Sequence, residues 1–578
     1  MKYAPKGACM VISRRTLLQA TTATAVPTAL TGTAHGTRVP DTTPGRSPSS
    51  SLWDEFRASP RTHPQIPFIG RAGFDDGSTA FPRRPVRADV LRYGARPDGS
   101  ADAAPAINRA LAETGERGGG TVRLPAGRYR IDDVIRIGHS DVTLRGAGSG
   151  ATTLYATRSL TDIIGPYGSR YGGDKSSWSW AGGLVWVCPR ARYRALTGAI
   201  RAREWPFEGW TGNRRDQWRT LARVTSAARR GDLTVTVDAP SALRPGDRVL
   251  LQLSDDAGHG LLAHMCGDVE GAAGYDWSDK TKLLSYVPYE RPVRIAAVRG
   301  RRVTLDRPLP LDARPEWAPR FTTLVAPVTG SGVEGLTIEM RETAQSPHLL
   351  DTGYNGLAMQ CAWDCWADDI HVVNADNGFL LVAAKAVTLR RTRVSGRGGH
   401  HPYACREGSH DNLVEDFAVE RPATPPPAGT QVHGVNVEGL SSHNVWSRGR
   451  MATGTFDTHR GLPFANVRTE ITLHNDGAHG GDASAGPLYG ARFTHWNVTV
   501  TNGRAGCVRI DDVAPYSATV GISEVTPFGQ IDRPDFPGPL HARLDGYGTP
   551  AVTPPNLHTA QRRLSRGLPA PRRQGDPR

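Results

Sequence analysis

Lysine is almost missing from this 578-residue chain: of its 70 basic residues only six are lysine. So strong an arginine bias reflects a GC-rich genome better than it reflects a function. Long apolar runs are missing too. None approaches the roughly 20 residues that a membrane-spanning helix requires, so no membrane partner is expected. Nor does any nucleic-acid-binding motif accompany the net charge of +14, and nucleic acid is not expected as a partner. Cysteine is sparse. Apart from Cys9 there are Cys188, Cys266, Cys361, Cys365, Cys405 and Cys507. Buried thiols, one or two disulfides and a metal site all stay open on that count. The last would need further ligands at zinc-site spacing, and no clear set stands out.

Ser13-Arg14-Arg15-Thr16-Leu17-Leu18 resembles the twin-arginine export motif. A mildly apolar Ala/Thr-rich run follows, and Gly32-Thr33-Ala34 offers small residues for cleavage. The resemblance implies a bacterial protein secreted by the twin-arginine pathway, with that machinery as a partner. Residues 1–36 hold four basic groups and no acid, so the remainder carries +10. In that compartment a positive surface suits an anionic polysaccharide.

From Val90 to Leu154 the pattern is dense. A short apolar strand is expected to reach Tyr93-Gly94-Ala95, followed by a turn at Asp98-Gly99. Asp102 can cap a helix carrying Ile107, Ala110 and Leu111 at helical spacing, and Gly118, Gly119 and Gly120 stop it. Val122/Leu124, Tyr129/Ile131, Ile135/Ile137 and Val142/Leu144 then alternate with period two between Pro-Ala-Gly and Gly-Ala-Gly turns. These residues closely resemble the opening of pectate-lyase-like (rhamnogalacturonase/epimerase-like) proteins: FGA-x-x-DG-x-x-DD, GGGTV-x-x-P-x-G-x-Y, VTL-x-GAG. The resemblance implies an all-β fold, a right-handed parallel β-helix capped by an N-terminal helix. Lyases, hydrolases, epimerases and phage tailspikes share that fold, so it does not choose a reaction.

The expected organisation is a signal peptide at 1–36, a linker at 37–85 and the first coils at 86–160. A tryptophan-rich insertion with a small antiparallel β subdomain follows at 161–327. The main β-helix occupies 328–525 and a Pro/Arg-rich tail 526–578. Six of the 13 tryptophans fall between Trp178 and Trp218; they either pack the insertion or stack on sugars. Leu233–Val237, Val249–Leu253, Val293–Ala297 and Val303–Leu305 read as the antiparallel strands. From Gly330 a V/I-x-V/I theme returns every 20–26 residues, as one β-helix coil per repeat requires. A monomer is expected.

Catalytic groups on such a helix should be outward residues two apart, repeated on adjacent coils. With Phe456 inward, Asp457 and His459 face out; with Val435 and Val437 inward, so do Asn436 and Glu438 one coil earlier. Asp457-Thr458-His459-Arg460 partly resembles the Asp-Pro-His-Asp/Glu motif of alginate C5-epimerases, with Thr458 and Arg460 departing from it. That resemblance implies a proton-transfer role for His459. Removing a proton α to a carboxylate needs a base titrating near neutrality, His459, oriented by Asp457. It also needs a cation on the carboxylate, Arg460 or Arg509. Asn436, Glu438, Arg406, His410 and Asp511 are the candidate substrate-binding groups. The His400-His401 pair could supply a second proton-transfer group, and Lys385 is a weaker candidate base. The turn from His474 to Asp482 could line a groove. No cofactor is expected, although calcium is conceivable for this fold; no metal ligands are assigned. The Asn-Thr-Asp, Asp-Asp, Gly-His-Gly, Arg-Ile-Lys series of the polygalacturonase family, also β-helix proteins, is not reproduced in order: Asp511 follows Arg509-Ile510, and nothing near Asp457 matches Gly-His-Gly.

The expected function is therefore a polysaccharide lyase cleaving an acidic, uronate-containing polymer by β-elimination. The alternatives are a glycoside hydrolase using Asp457 with a second acid, and a non-catalytic glycan-binding β-helix.

Overall fold

The computed structural model describes residues 49–568 apart from short stretches: 169–172, 207, 211–217, 278–287, 428–429, 431–432, 460, 478–485, 528–534 and 550. The export motif, Arg460 and the His479–Asp482 part of its turn lie outside the described residues.

Two parallel sheets wind around one interior. The longer runs through Val86–Asp89, Gly120–Arg123, Val142–Arg145, Gly332–Met340, Trp366–Val373, Thr388–Ser395, Leu413–Glu415, Val445–Met451, Val467–Leu473, Thr494–Val500, Ala518–Ile522 and Arg543–Asp545. The shorter takes Ile135–Ile137, Val185–Val187, Asn355–Trp363, Asn377–Lys385, His401–Arg406, Val435–Val437 and Phe456–Thr458. The chain crosses from one sheet to the other in each coil, so parallel strands pair in sequence order without hairpins, as a parallel β-helix requires. Alternate apolar side chains from both sheets, Val333, Leu336, Ile370, Phe379, Tyr403, Val435 and Phe456 among them, meet in one elongated core.

Asparagines fix the stacking of the coils at one corner. Asn412 donates to Asn444 at 2.8 Å and Asn444 to Asn466 at 3.0 Å. Each follows a residue with positive φ (Asp411, His443, Ala465), where the chain turns. Such a ladder satisfies buried amides coil by coil.

The open end is closed as the sequence implies. Ala104–Glu116 forms a helix with Ile107, Ala110 and Leu111 buried. Asp102 accepts from the Ala104 N–H at 3.0 Å. The strand expected up to Ala95 instead ends at Asp89, and Val90–Tyr93 is a 3₁₀ turn closed by Gly94 at φ 93°. The expected antiparallel subdomain is present as six strands between Thr220 and Thr322, with its own core. That core includes Leu440, Leu462 and Phe464 of the β-helix, which seat the subdomain against a corner of the coils. Trp178, Trp186 and Trp210 are buried, so they pack the insertion rather than offering faces to a sugar.

Both ends differ from the sequence reading. Residues 49–85 are not a linker: Leu52 and Phe56 of the helix Ser51–Ala58, with Ile66 and Ile69, are buried on the outer face of the long sheet against Val445, Val467 and Trp496. The tail extends the long sheet by the strand Arg543–Asp545 and adds the helix Leu557–Gly567 to that cover. Gln561 joins the two segments, accepting from Ile69 N–H and donating to the Pro67 carbonyl. Composition misled here because so short a cover buries few apolar residues per turn.

Among the described residues the six cysteines are free and buried. Among the described residues no helix is long and apolar enough to cross a membrane.

Candidate functional site

The strands His401–Arg406, Val435–Val437 and Phe456–Thr458 lie side by side, with Ala404 opposite Asn436 and Asn436 opposite Asp457. Val435, Val437 and Phe456 fill the core, which turns Asn436 and Asp457 to the other face. Asn436 donates to Asp457 Oδ2 at 2.8 Å across 21 residues of sequence, one coil. His459 donates Nδ1–H to Asp457 at 3.0 Å. The expected juxtaposition of Asn436, Asp457 and His459 is thus present. It is not an open surface, however: Asp457 is 0 % and His459 6 % exposed.

A third partner was missed. His433 donates Nδ1–H to Asp457 Oδ2 at 2.7 Å, so one carboxylate orients two imidazoles. His433 shares its parity with the inward Val435, but it precedes the strand, where alternation no longer holds. His401 stands at the first position of its strand, also at a coil corner, with Nε2 3.6 Å from Asp457. His400 stacks on His401 at 4.2 Å between ring centroids, and His348 lies 5.1 Å from His400 and 5.7 Å from His433. Asp351 accepts from His400 Nδ1–H at 2.9 Å and from the Ser179 hydroxyl. Arg397 pairs with Asp376, which also accepts the Gly353 and Tyr354 N–H groups. That knot ties the loop bearing His400 to the loop bearing Asp351.

Burial pushes the Asp457 carboxyl upward, but His459 and His433, together with hydrogen bonds from His401 and His433, hold it well below the usual carboxylate range. Asp457 is therefore a fixed anion. Burial and neighbouring imidazoles hold His348 and His401 down at about 4 and His400 lower still, so these rings are neutral. Burial and the Asp376 charge push Asp351 up to about 7. Beneath the site Arg468 crosses the β-helix interior. It donates to Thr458 Oγ1 at 3.1 Å and sits 5.0 Å over the Phe456 ring. Burial lowers its guanidinium to about 10.

His401 and His433 of this cluster line a cleft of about 500 Å3, together with Gln345, Arg397, Arg421 and Asp476. That size is typical of ligand clefts, about 300–1,000 Å3. Pro422, Pro425 and Pro426 form one wall, on the long connection that precedes the strand Val435–Val437. Among the described residues, two groups of side chains bring possible metal-ligating atoms within 4.8 Å of one another: His401, His433, Asp457 and His459, and His348, His400 and His433. The sequence reading assigned no metal ligands because these residues come from four separate coils and loops.

Other sequence candidates lie elsewhere or are already engaged. Glu438 accepts from Arg406 at 2.7 Å, and Arg406 also reaches Glu208, Glu407 and the Trp180 carbonyl. This pair braces the insertion rather than offering free groups to a substrate. His410 is fully buried under the antiparallel subdomain, donating to the Glu290 carbonyl at 3.1 Å and bonded to Ser442 at 3.0 Å. It does not flank Asp457. Arg509 pairs with Asp511 at 3.0 Å and lies 5.1 Å over the Tyr547 ring, a self-contained pair on a later coil. Lys385 is buried and bonded to Asp411, under the subdomain rather than in the cleft.

Residues 88–185 match the model of the rhamnogalacturonase A/epimerase, pectate lyase-like family. The mannuronan C5-epimerase AlgE3 of Azotobacter vinelandii is 36% identical over 97 residues, which cover 15% of this chain and 5% of that protein. Among solved structures, the tailspike gp49 of Pseudomonas phage LKA1 is 13% identical, covering 76% of this chain and 59% of its own at a TM-score of 0.38. The A-module of the A. vinelandii epimerase AlgE6 is 11% identical, covering 81% of this chain and 100% of its own at 0.32. The catalytic unit of the GH87 α-1,3-glucanase of Streptomyces thermodiastaticus is 13% identical, covering 82% and 71% at 0.32. The opening coils at residues 88–185 are thus similar to the pectate-lyase-like family, and the strands that follow wind as a parallel β-helix.

Proposed function

We propose that this protein is an exported enzyme that cleaves an acidic, uronate-containing polysaccharide by β-elimination in the cleft beside Asp457. One observation carries the reading: a buried carboxylate holds His433 and His459 by their Nδ1–H groups, 2.7 and 3.0 Å away. Each imidazole is thereby fixed in the tautomer whose Nε2 can accept a proton. In the proposed step the base, His459, takes the proton from C5, which is α to the uronate carboxylate. The electron pair forms the C4–C5 double bond, the C4–O bond breaks, and the departing oxygen takes up the proton that His459 carries, which returns the imidazole to its neutral form. Asp457 stays ionised throughout and stabilises the imidazolium. The likeness of residues 88–185 to a family of pectate-lyase-like proteins supports a carbohydrate substrate. Arg421 at the cleft mouth is exposed, with no carboxylate partner among the described residues, and supports an acidic one.

The test is incubation with a panel of polyuronates and uronate-containing glycans, followed in the ultraviolet for unsaturated uronate ends. Those ends should appear, and His459→Ala should lower the rate by about 10²–10⁴-fold, the share typical of a positioned general base. Release of saturated reducing ends alone, with His459→Ala active and Asp457→Asn dead, would replace elimination by hydrolysis. Saturable binding without turnover would leave a glycan-binding β-helix.

A further inference from the structure

Elimination next to a carboxylate needs a positive group on that carboxylate, and of the arginines the sequence offered for it, Arg509 is held by Asp511 on a later coil. Beside the proposed base lies a set of imidazole nitrogens placed to hold a cation instead. His433, with its Nδ1–H on Asp457, directs the Nε2 lone pair away from that carboxylate and toward His348, whose Nε2 is 3.5 Å distant. His400, with its Nδ1–H on Asp351, likewise keeps Nε2 available. The ligating atoms of His348, His400 and His433 all fall within 4.8 Å of one another.

We propose that His348, His400 and His433 form a three-histidine site for a zinc-class divalent transition metal, at the edge of the substrate cleft.

Three features support it. Nitrogens bound to one tetrahedral zinc at about 2.0–2.1 Å sit roughly 3.3–3.4 Å apart, close to the observed 3.5 Å between His433 and His348. Two of the three rings already have what metal-ligating histidines characteristically have, a carboxylate on the other nitrogen that fixes tautomer and orientation: Asp457 for His433, Asp351 for His400. Imidazole donors select zinc, copper, nickel or iron over calcium, which takes oxygen ligands. The overlapping group of His401, His433, Asp457 and His459 is less suited. Asp457 there already accepts from His433, His459 and Asn436, so it acts as the orienting carboxylate rather than as a ligand. Three protein ligands leave a fourth position, as catalytic zinc sites do. His433 lines the cleft, and a uronate carboxylate oxygen is the ligand that fits. Only this last role rests on the β-elimination reading; the metal site stands without it.

The full chain, stripped with a chelator and dialysed, is titrated with Zn2+ and with Co2+, whose visible bands report tetrahedral nitrogen coordination. One ion should bind per chain. His348→Ala, at a half-exposed ring that can be removed without opening the core, should abolish binding while the circular dichroism stays unchanged. Asp351→Asn should weaken binding by about 10–100-fold, the usual cost of losing an orienting carboxylate. His459→Ala should bind the ion like the unmodified protein while losing activity. Failure to take up an ion, or loss of the ion in His459→Ala with retention in His348→Ala, would overturn the site. An ion bound as described with no uronate polymer cleaved would sink the functional reading and leave the site standing. Full elimination activity in the stripped protein would reject the ion's role on the carboxylate.

Discussion

Two aspartates show how differently one residue type is used in this molecule. Asp457 is wholly buried, yet it stays ionised because two imidazoles and an amide donate to it; its neighbours are arranged around a proton. Asp411 is also buried, among basic side chains: Arg291 at 2.8 Å, Arg307 at 3.5 Å, and Lys385. Those three hold its carboxyl well below the usual range against the opposing effect of burial. Burial in turn lowers the Lys385 ammonium to about 8, so that charge is the most costly member of the set. Asp411→Asn should therefore destabilise the protein by about 3–5 kcal/mol, because it leaves buried cations without a counter-charge. Lys385→Met should cost far less, since Arg291 and Arg307 still neutralise Asp411. Urea unfolding of the two variants checks the order; equal losses would refute it.

At the scale of the strand, coils approach so closely that some positions admit no side chain. A Cβ on Gly356 would lie 2.4 Å from the Gly378 carbonyl oxygen of the next coil and 2.8 Å from Val372. The obstacle is backbone, which cannot swing aside. Gly356→Ala should cost about 1–3 kcal/mol, the range of an overpacked core, and should lower the melting temperature. Gly94 offers the contrast: a Cβ there meets nothing within 4 Å, and only its φ of 93° resists alanine. Steric intolerance is thus set by coil stacking, whereas tolerance of the turn glycine is set by the backbone alone.

Across the whole molecule, stability depends on a cover that both ends of the described chain provide. Residues 49–85 and the helix Leu557–Gly567 hide apolar side chains on the outer face of the long sheet. Each carries a histidine that burial keeps neutral: His63 at about 4 and His558 at about 3, against an ordinary 6.5. His63 Nδ1 accepts the Gln65 and Ile66 N–H groups at 3.2 and 2.9 Å, so a proton there would break both bonds. The unfolded chain takes up protons below about 6.5 where the folded one refuses them. Stability is therefore full above pH 6.5 and falls as pH drops toward 4 and then 3. Hydrogen exchange at pH 4 to 5 should show Ser51–Ala58 and Leu557–Gly567 losing protection before the inner strands. Uniform protection, or a stability flat from pH 6.5 to 4, would contradict this.

The resemblance of the opening motif to pectate-lyase-like proteins implied the β-helix and its capping helix, and period-two alternation located the inserted antiparallel strands. They also put Asn436, Asp457 and His459 together, because in a parallel coil a residue two along faces the same side and a residue one coil on lies beside it. The rest depended on how the coils turn. His433 and His401 occupy corners, where parity carries no information. His348, His400, Asp351 and Asp376 arrive on loops whose paths follow from packing and not from any local pattern. Alternation put Glu438 on an open face, but Arg406 and the insertion it braces engage it, and His410, offered as a substrate-binding group, is buried under the antiparallel subdomain. A strand's own sequence determines which way its side chains point. What they meet there is decided by segments distant in the chain, through burial that no single segment can specify.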